Sequence, residues 1–410
     1  MPRFLNPHST GFLVLLSLCS GLPALGTDMA LSGTSAIADA FQVPVSDVGL
    51  ALSAFMIGFA GSPLLYGPLA DRFGRKPVIL VASAIFTLAS IGCALASTLP
   101  ELLAWRLAQG IGAGASRSLP TSIVRDLFDG AVARAKMSYI GLMGLLAPIC
   151  APTIGSGLLL LSSWRGIYGF LALMGGAVFV AMLFGYGESF TPTAQNNLRP
   201  GQIAANYAET FRHRQSLRYT LVATLSFGCL FSYVSGSPFV LMEAYELGPT
   251  AYGLTFAFTT VALLAGNFVN GKLNARAVSP RIPLAIGLGL AAATSTALAV
   301  LSMTVHIPLP LLLGLVALCM FSAGLIFANA IQLALQPLPH IAGVASAALA
   351  ACQLGLGAIA GAAVAYFFDG RTPLSTAAAM AICAWLSLAV YRLLPAEASQ
   401  GEAAAVIATE

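Results

Sequence analysis

Twelve times along this chain an apolar run of about 20 residues or more is closed by a short polar break. The runs lie at roughly 11–38, 48–70, 78–97, 101–124, 136–161, 165–187, 217–241, 250–271, 283–304, 309–335, 341–367 and 374–394. Each is long enough to cross the hydrocarbon core of a bilayer as a helix. The runs are continuous, without the ten-residue alternation of a membrane barrel. Proline, glycine or charge marks the breaks, as at 43–47, 67–77, 98–101 and 278–280. Composition agrees: of 410 residues 58% are hydrophobic and 8% charged, and mean hydropathy is +0.86. A soluble domain carries about 25% charged residues, so 19 basic and 15 acidic side chains cannot cover a 42.1 kDa globule. Disordered chains are poor in apolar residues and are excluded as well. The expected fold class is an all-α membrane protein of twelve transmembrane helices.

The first run admits a second reading. Arg3 followed by an apolar stretch from Phe12 resembles a secretory leader cut near Gly26. Removing it would leave eleven spans and break the repeat described below, so a first spanning helix is expected. With the N-terminus placed in the cytoplasm, fifteen of the 19 Lys and Arg fall in cytoplasmic segments. Only Arg165 and Arg371 fall in outer loops. That is the positive-inside bias, and it places both termini inside. The net charge of +4 is too mild to suggest a nucleic-acid partner. The seven cysteines all lie in apolar runs, without metal-ligand spacing, and read as small buried hydrophobes.

The longest polar stretch follows span six and divides the chain into two sets of six. The expected organisation is a bundle at 1–188, a cytoplasmic linker at 189–216, a second bundle at 217–396 and a cytoplasmic tail at 397–410. Glycine-led basic loops at 67–76 and 271–281 occupy equivalent places in the two halves. Duplicated halves suggest a transporter with a site between them. No extramembrane segment is large enough for a soluble catalytic domain. The four histidines sit near loops or helix ends, and an intramembrane enzyme would need a nucleophile, metal ligands or paired carboxylates. None is in place, so no enzymatic activity is expected.

Charge within a bilayer is costly and is a functional signal by default. Of the acidic residues only Asp28 lies well inside a span. Desolvation favours a neutral acid and a nearby cation favours the carboxylate. A carboxyl balanced between them can load and release a proton. The plain alternative is a carboxylate held permanently by backbone or Arg. Arg106 and Arg117 both lie within span four. Eleven residues bring a helix back to within about 20° of the same face, about 16 Å further along. Both guanidinium groups are therefore expected to face one wet cavity, with Arg106 in reach of Asp28 and Arg117 free to bind substrate or nearby carbonyls.

Asn329, Gln332 and Gln336 form one stripe on span ten. Tyr233 in span seven and Gln353 in span eleven add to it. Tyr233, Asn329, Gln332 and Gln353 are candidate substrate contacts, although polar side chains also simply hold membrane helices together. In span five Pro148, Pro152 and Gly155 mark a hinge or a tight interface.

The loop Gly67, Asp71, Arg72, Gly74, Arg75 and Lys76 resembles the signature loop of the major facilitator superfamily. Arg106, Gln109, Gly110 and Gly112 resemble its span-four motif, and Pro148, Pro152 and Gly155 the span-five motif of its drug:proton antiporters. Thr27–Asp28–Met29, Arg125–Asp126, Ser163–Trp164–Arg165, Gly236–Val240 and Ala342–Ala347 are similar to the Bcr/CflA drug-resistance branch. The resemblance implies two pseudo-symmetric six-helix bundles that rock about a central site. Asp71 would latch the cytoplasmic side against Arg125 and the start of span eleven; Gly67, Arg72, Gly74 and Arg75 would complete that gate. Asp28 would carry the proton and Arg106 would tune it. Two features depart from the branch: Ala30-Leu31-Ser32-Gly33 after the aspartate, and Arg117 itself. They make the pocket more basic and favour a neutral, zwitterionic or anionic cargo over a lipophilic cation. The expectation is a monomeric, multi-pass protein of a bacterial-type inner membrane that exports a drug or metabolite in exchange for protons. The gradient supplies energy, no cofactor is needed, and the lipid bilayer is the surrounding partner. Proton-coupled import on the same fold is the alternative.

Overall fold

The computed structural model describes residues 5–189, 200–304 and 307–394. The tail at 397–410 and positions 190–199 of the expected linker lie outside the described residues. Ser9 starts the first helix: its hydroxyl accepts the Phe12 amide at 3.2 Å, supplying one partner that a helix start lacks. Helix α1 (Thr10–Leu31) does not run on to residue 38 as the apolar run suggested. It stops at Ser32–Gly33, where the Gly33 amide turns back onto the Ala30 carbonyl. The Ser32 hydroxyl bonds the Pro152 carbonyl, and a Cβ at Gly33 would press on Ile167. Hydropathy cannot see such a turn, and a short α2 (Thr34–Phe41) follows it.

The remaining elements are α3 (Val45–Phe73), α4 (Arg75–Leu95), α5 (Leu99–Leu127), α6 (Gly130–Leu161), α7 (Trp164–Gly185), α8 (Pro200–Arg212), α9 (Arg214–Pro238), α10 (Pro249–Ala275), α11 (Arg281–Thr304), α12 (Leu309–Leu335), α13 (Ala342–Tyr366) and α14 (Leu374–Leu393). A π-helical turn, Phe239–Ala244, extends α9 beyond Pro238. Among the described residues eleven helices are long and apolar enough to cross a membrane. Helix α5, with 29 residues, is long enough at about 1.5 Å per residue. Its polarity sets it apart, because Arg106, Gln109 and Arg117 lie along it. With α5 the spans number twelve among the described residues. Helix α8 lies within the stretch expected as linker and packs on α9 and α13.

Packing repeats between the halves. Helix α1 packs on α5, α6 and α7, as α9 packs on α12, α13 and α14. The α3–α5 and α4–α5 pairs match α10–α12 and α11–α12. The tightest pairs use glycines in equivalent places. A Cβ at Gly58 or Gly110 would collide with the Leu107 or Phe55 carbonyl across α3 and α5. A Cβ at Gly266 or Gly324 would collide with the facing backbone across α10 and α12. Small residues let membrane helices meet backbone to backbone. Serine and threonine within the spans mostly bond their own helix, as Ser83 to Ile79, Ser90 to Phe86 and Ser295 to Ala291, so their polarity costs little. The halves meet where α3 faces α13 and α6 faces α10.

Candidate transport site

A cavity of about 490 Å³ lies between the halves. From the first half Ser20, Pro23, Thr27 and Asp28 of α1, Met56 and Phe59 of α3, Arg117 and Thr121 of α5, and Pro148 of α6 line it. From the second half come Phe227, Phe231 and Tyr233 of α9, Phe256, Thr259 and Thr260 of α10, Met320 and Leu354. The wall is mainly apolar and aromatic, with Asp28 and Arg117 its two charged groups. Asp28 is 6% exposed and forms no ion pair among the described residues.

Arg106 is not the direct partner of Asp28 that its axial position suggested. It is fully buried and its donors go elsewhere. Nε bonds the Ala51 carbonyl at 3.3 Å, and one terminal nitrogen bonds the Gly26 carbonyl at 2.9 Å and the Gln109 side-chain oxygen at 2.6 Å. Gln109 in turn donates to Ser90. The Phe55 and Tyr168 rings flank the cation at 4.6 and 5.8 Å. The Gly26 and Ala51 carbonyls, on helices packed on α5, take these donors, and Asp28, two residues further along α1, receives none of them. Arg106 thus ties α1, α3 and α4 together two residues from Asp28.

Arg117 lies three turns along α5 and behaves differently. Its guanidinium rests 5.8 Å from the Phe59 ring, one turn along α3 from Phe55, so the two arginines do follow one line. Among the described residues it has no hydrogen bond or ion pair to protein, and it is exposed to the cavity. A cation left free at mid-helix is available to a ligand.

The second-half expectations divide. Tyr233 lines the cavity, bonded to the Thr259 hydroxyl at 2.9 Å. Asn329, Gln332 and Gln353 do not. Asn329 is fully buried and donates to Asn270 at 2.7 Å, joining α12 to α10. Gln353 is buried and reaches the Ala223 carbonyl at 3.5 Å. Gln332 is exposed away from the cavity. A helical stripe says which residues share a face, not what that face meets. Phe227 and Phe231, stacked at 5.6 Å, and the Thr259–Thr260 pair line the cavity beyond the residues expected from the sequence. Their signal was an aromatic pair at i, i+4 and adjacent hydroxyls in an apolar run.

The two ends of the cavity differ. At the end away from the Asp71 loop the halves touch. Ser35 donates to Glu243 at 2.6 Å, and the Phe239 ring stacks on Phe368 at 5.1 Å while sitting over Gly49. Beyond Thr27 only a void of about 20 Å³ remains, room for about one water. At the basic end Arg117 and Thr121 pass from the central cavity into a vestibule of about 630 Å³. Gly67, Asp71, Arg72, Arg75 and Arg125 line it on one side, Tyr207 of α8 and Gly343–Ala350 of α13 on the other.

Asp71 does not pair with Arg125 here. Its carboxylate, 43% exposed, meets Arg75 at 2.6 Å. Buried Arg75 also bonds Asp126 at 2.9 Å. Gly74, at φ 97°, a conformation that favours glycine, turns the chain so that the Arg75 and Lys76 amides at the start of α4 bond Glu188 at 3.1 and 2.9 Å. The vestibule lies where the resemblance implies a latch to Arg125 and α13, and Asp71 and Arg125 do not meet across it. Pro148 and Pro152 lie within an α6 that remains helical from Gly130 to Leu161. Gly155 is a close-approach point: a Cβ there would lie 2.7 Å from the Met29 carbonyl.

The family model described as Major Facilitator Superfamily matches residues 16–362. The bicyclomycin resistance protein homolog of Haemophilus influenzae is 28% identical over 384 residues, 93% of this chain and 96% of its own. The multidrug resistance protein MdtL of Escherichia coli is 30% identical over 337 residues, covering 80% and 82%. In fold, the D-xylose-proton symporter superposes with a TM-score of 0.74 at 15% identity, covering 94% of this chain and 98% of that one. The chain belongs to the Major Facilitator Superfamily and, with these relatives, to its drug-resistance branch. It is a multi-pass membrane transporter of small molecules and not an enzyme.

Proposed function

We propose that this transporter exports small molecules in exchange for protons, by alternating access, across a bacterial inner membrane. The observation that carries the reading is the placement of Asp28. It is a carboxyl in the wall of a central cavity, without an ion pair among the described residues, where proton and cargo share one space. The basic end is cytoplasmic by the positive-inside bias, with both termini on that side, so the cavity is open inward and closed outward. Cargo enters past Arg125 and Arg117 and displaces the proton from Asp28. The halves then rock, closing Asp71 toward Arg125 and the start of α13, whose positive end favours a carboxylate. Arg106 acts on Asp28 by fixing the backbone of α1. The protein works as a monomer, with the proton gradient as its energy source.

The names of the relatives support export and make bicyclomycin the first compound to assay. In everted membrane vesicles with an acid interior, bicyclomycin is expected to enter in exchange for protons, read by dequenching of a pH dye. Asp28→Asn is expected to abolish the exchange while leaving expression intact. Undiminished exchange by the Asn variant would reject the assignment. Movement of cargo and proton in the same direction would make the protein a symporter instead.

A further inference from the structure

We propose that the preferred cargo is an aromatic zwitterion, its acidic group held by Arg117 and its protonated amine facing Asp28. The inference rests on the export reading and deepens it. Helix α5 carries its own comparison. Arg106 spends its donors on Gly26, Ala51 and Gln109 inside a cage of aromatic rings. Arg117, on the same line, gives none to the protein among the described residues and stands at the junction of the central cavity and the vestibule. A guanidinium is suited to a carboxylate, which it can grip through two parallel hydrogen bonds.

The route to that point selects for the same group. Arg72, Arg117 and Arg125 line the vestibule and form no ion pair among the described residues, while Asp71 is paired with Arg75. A passage of one sign concentrates ligands of the other. It disfavours a purely cationic compound on its way in. Beyond Arg117 the walls turn aromatic, with Phe59, Phe227, Phe231 and Phe256 around a space large enough for a fused-ring body. Asp28 is the acid in that wall, and it forms no ion pair with Arg117. Two opposite charges that face one apolar chamber without pairing match a ligand that carries both. An anion alone would leave the Asp28 carboxylate unanswered, and a cation alone would leave Arg117 so.

The test is equilibrium binding to the full-length protein in detergent, without a gradient, using three radiolabelled compounds on one indole body: tryptophan, N-acetyltryptophan and tryptophan methyl ester. Tryptophan is expected to bind roughly tenfold or more tighter than either relative, the scale of one lost charged contact. Arg117→Gln should weaken tryptophan by a similar factor and leave the ester unchanged. Asp28→Asn should weaken tryptophan and leave the N-acetyl compound unchanged. Arg117→Lys should fall between wild type and the Gln variant. The ester binding best, equal binding of all three, no binding of any, or an indifferent Arg117→Gln would each overturn the proposal. The wild-type series decides it even if a variant fails to fold. Zwitterion binding without proton exchange in vesicles would reject the export reading alone; proton exchange with bicyclomycin but no preference for tryptophan would reject this one alone.

Discussion

The Arg106 guanidinium donates to the Gly26 carbonyl at 2.9 Å, two residues before Asp28, and so grips the backbone beneath the carboxyl instead of the carboxyl itself. Removing it would strand the Gln109 side-chain oxygen in a dry interior, at about 1–3 kcal/mol, and leave a cavity beside the Phe55 and Tyr168 rings, while the Gly26 and Ala51 carbonyls keep the partners of their own helices. Arg106→Ala is expected to lower stability by about 3 kcal/mol, and Arg106→Lys by less, since lysine keeps most of the volume and a cationic donor although one ammonium cannot reach every acceptor. Arg117→Gln, which strands nothing, should stay within about 0.5 kcal/mol of wild type. Thermal unfolding in detergent separates them; equal effects of Arg106→Ala and Arg117→Gln would contradict the contrast.

The signature loop predicts a split between stability and transport. Arg75 is buried between Asp71 and Asp126, so Arg75→Gln should destabilise by about 2 kcal/mol. Asp71 is nearly half exposed in this arrangement, open at the basic end, and an ion pair so open to water contributes at most about 1 kcal/mol. Asp71→Asn should therefore melt close to wild type yet transport poorly, because the proposed latch to Arg125 and α13 would form only in the arrangement closed at this end. Melting curves and vesicle flux on the same preparations check both halves of the statement.

The glycine contacts between α3 and α5 predict sharp steric limits. Gly110 sits against the Phe55 carbonyl and Gly58 against that of Leu107, backbone facing backbone, with no flexible side chain to yield. Gly110→Val should cost about 1–3 kcal/mol by overpacking and reduce the yield of folded protein. Gly141→Val, where a Cβ meets nothing within 4 Å, should be tolerated. Monodispersity in detergent after solubilisation distinguishes the two.

The spans were legible because a bilayer demands long apolar runs, and the halves because one polar stretch divides them. Asp28 and Arg117 were legible because charge at mid-helix is costly and must be used. The end of α1 was not, since the Ser32–Gly33 turn is fixed by α6 and α7 packing against it and hydropathy reads through it. Asn329 and Gln353 looked like site residues for a related reason. Periodicity places them on a face, but their bonds to Asn270 and Ala223 depend on which helix arrives there. Arg106 shows the limit from the other side: its depth was right, and the carbonyls that claim it are a tertiary fact.

Closure of the far end rests in part on Ser35 donating to Glu243 across the halves. With the native cysteines replaced, the double variant S35C/E243C treated with a short reducible thiol cross-linker should lose transport, and reduction should restore it. The same reagent on either single variant should have no effect. Transport that persists through complete cross-linking would mean that the halves do not part at this end.

One-for-one exchange of the proposed zwitterion for a proton would fix how transport responds to voltage. A zwitterion leaving against one proton entering carries one net charge per cycle, so membrane potential alone should drive exchange. Each 100 mV contributes about 2.3 kcal/mol per charge, equivalent to roughly a fiftyfold cargo gradient. In proteoliposomes of one orientation with equal pH on both sides, a potassium diffusion potential of that size should accumulate tryptophan, and reversing its sign should abolish accumulation. A singly cationic cargo exchanged for one proton would move no net charge and ignore the potential. Voltage-independent accumulation of tryptophan under a pH gradient would therefore contradict the one-proton exchange, whatever the affinity of the site.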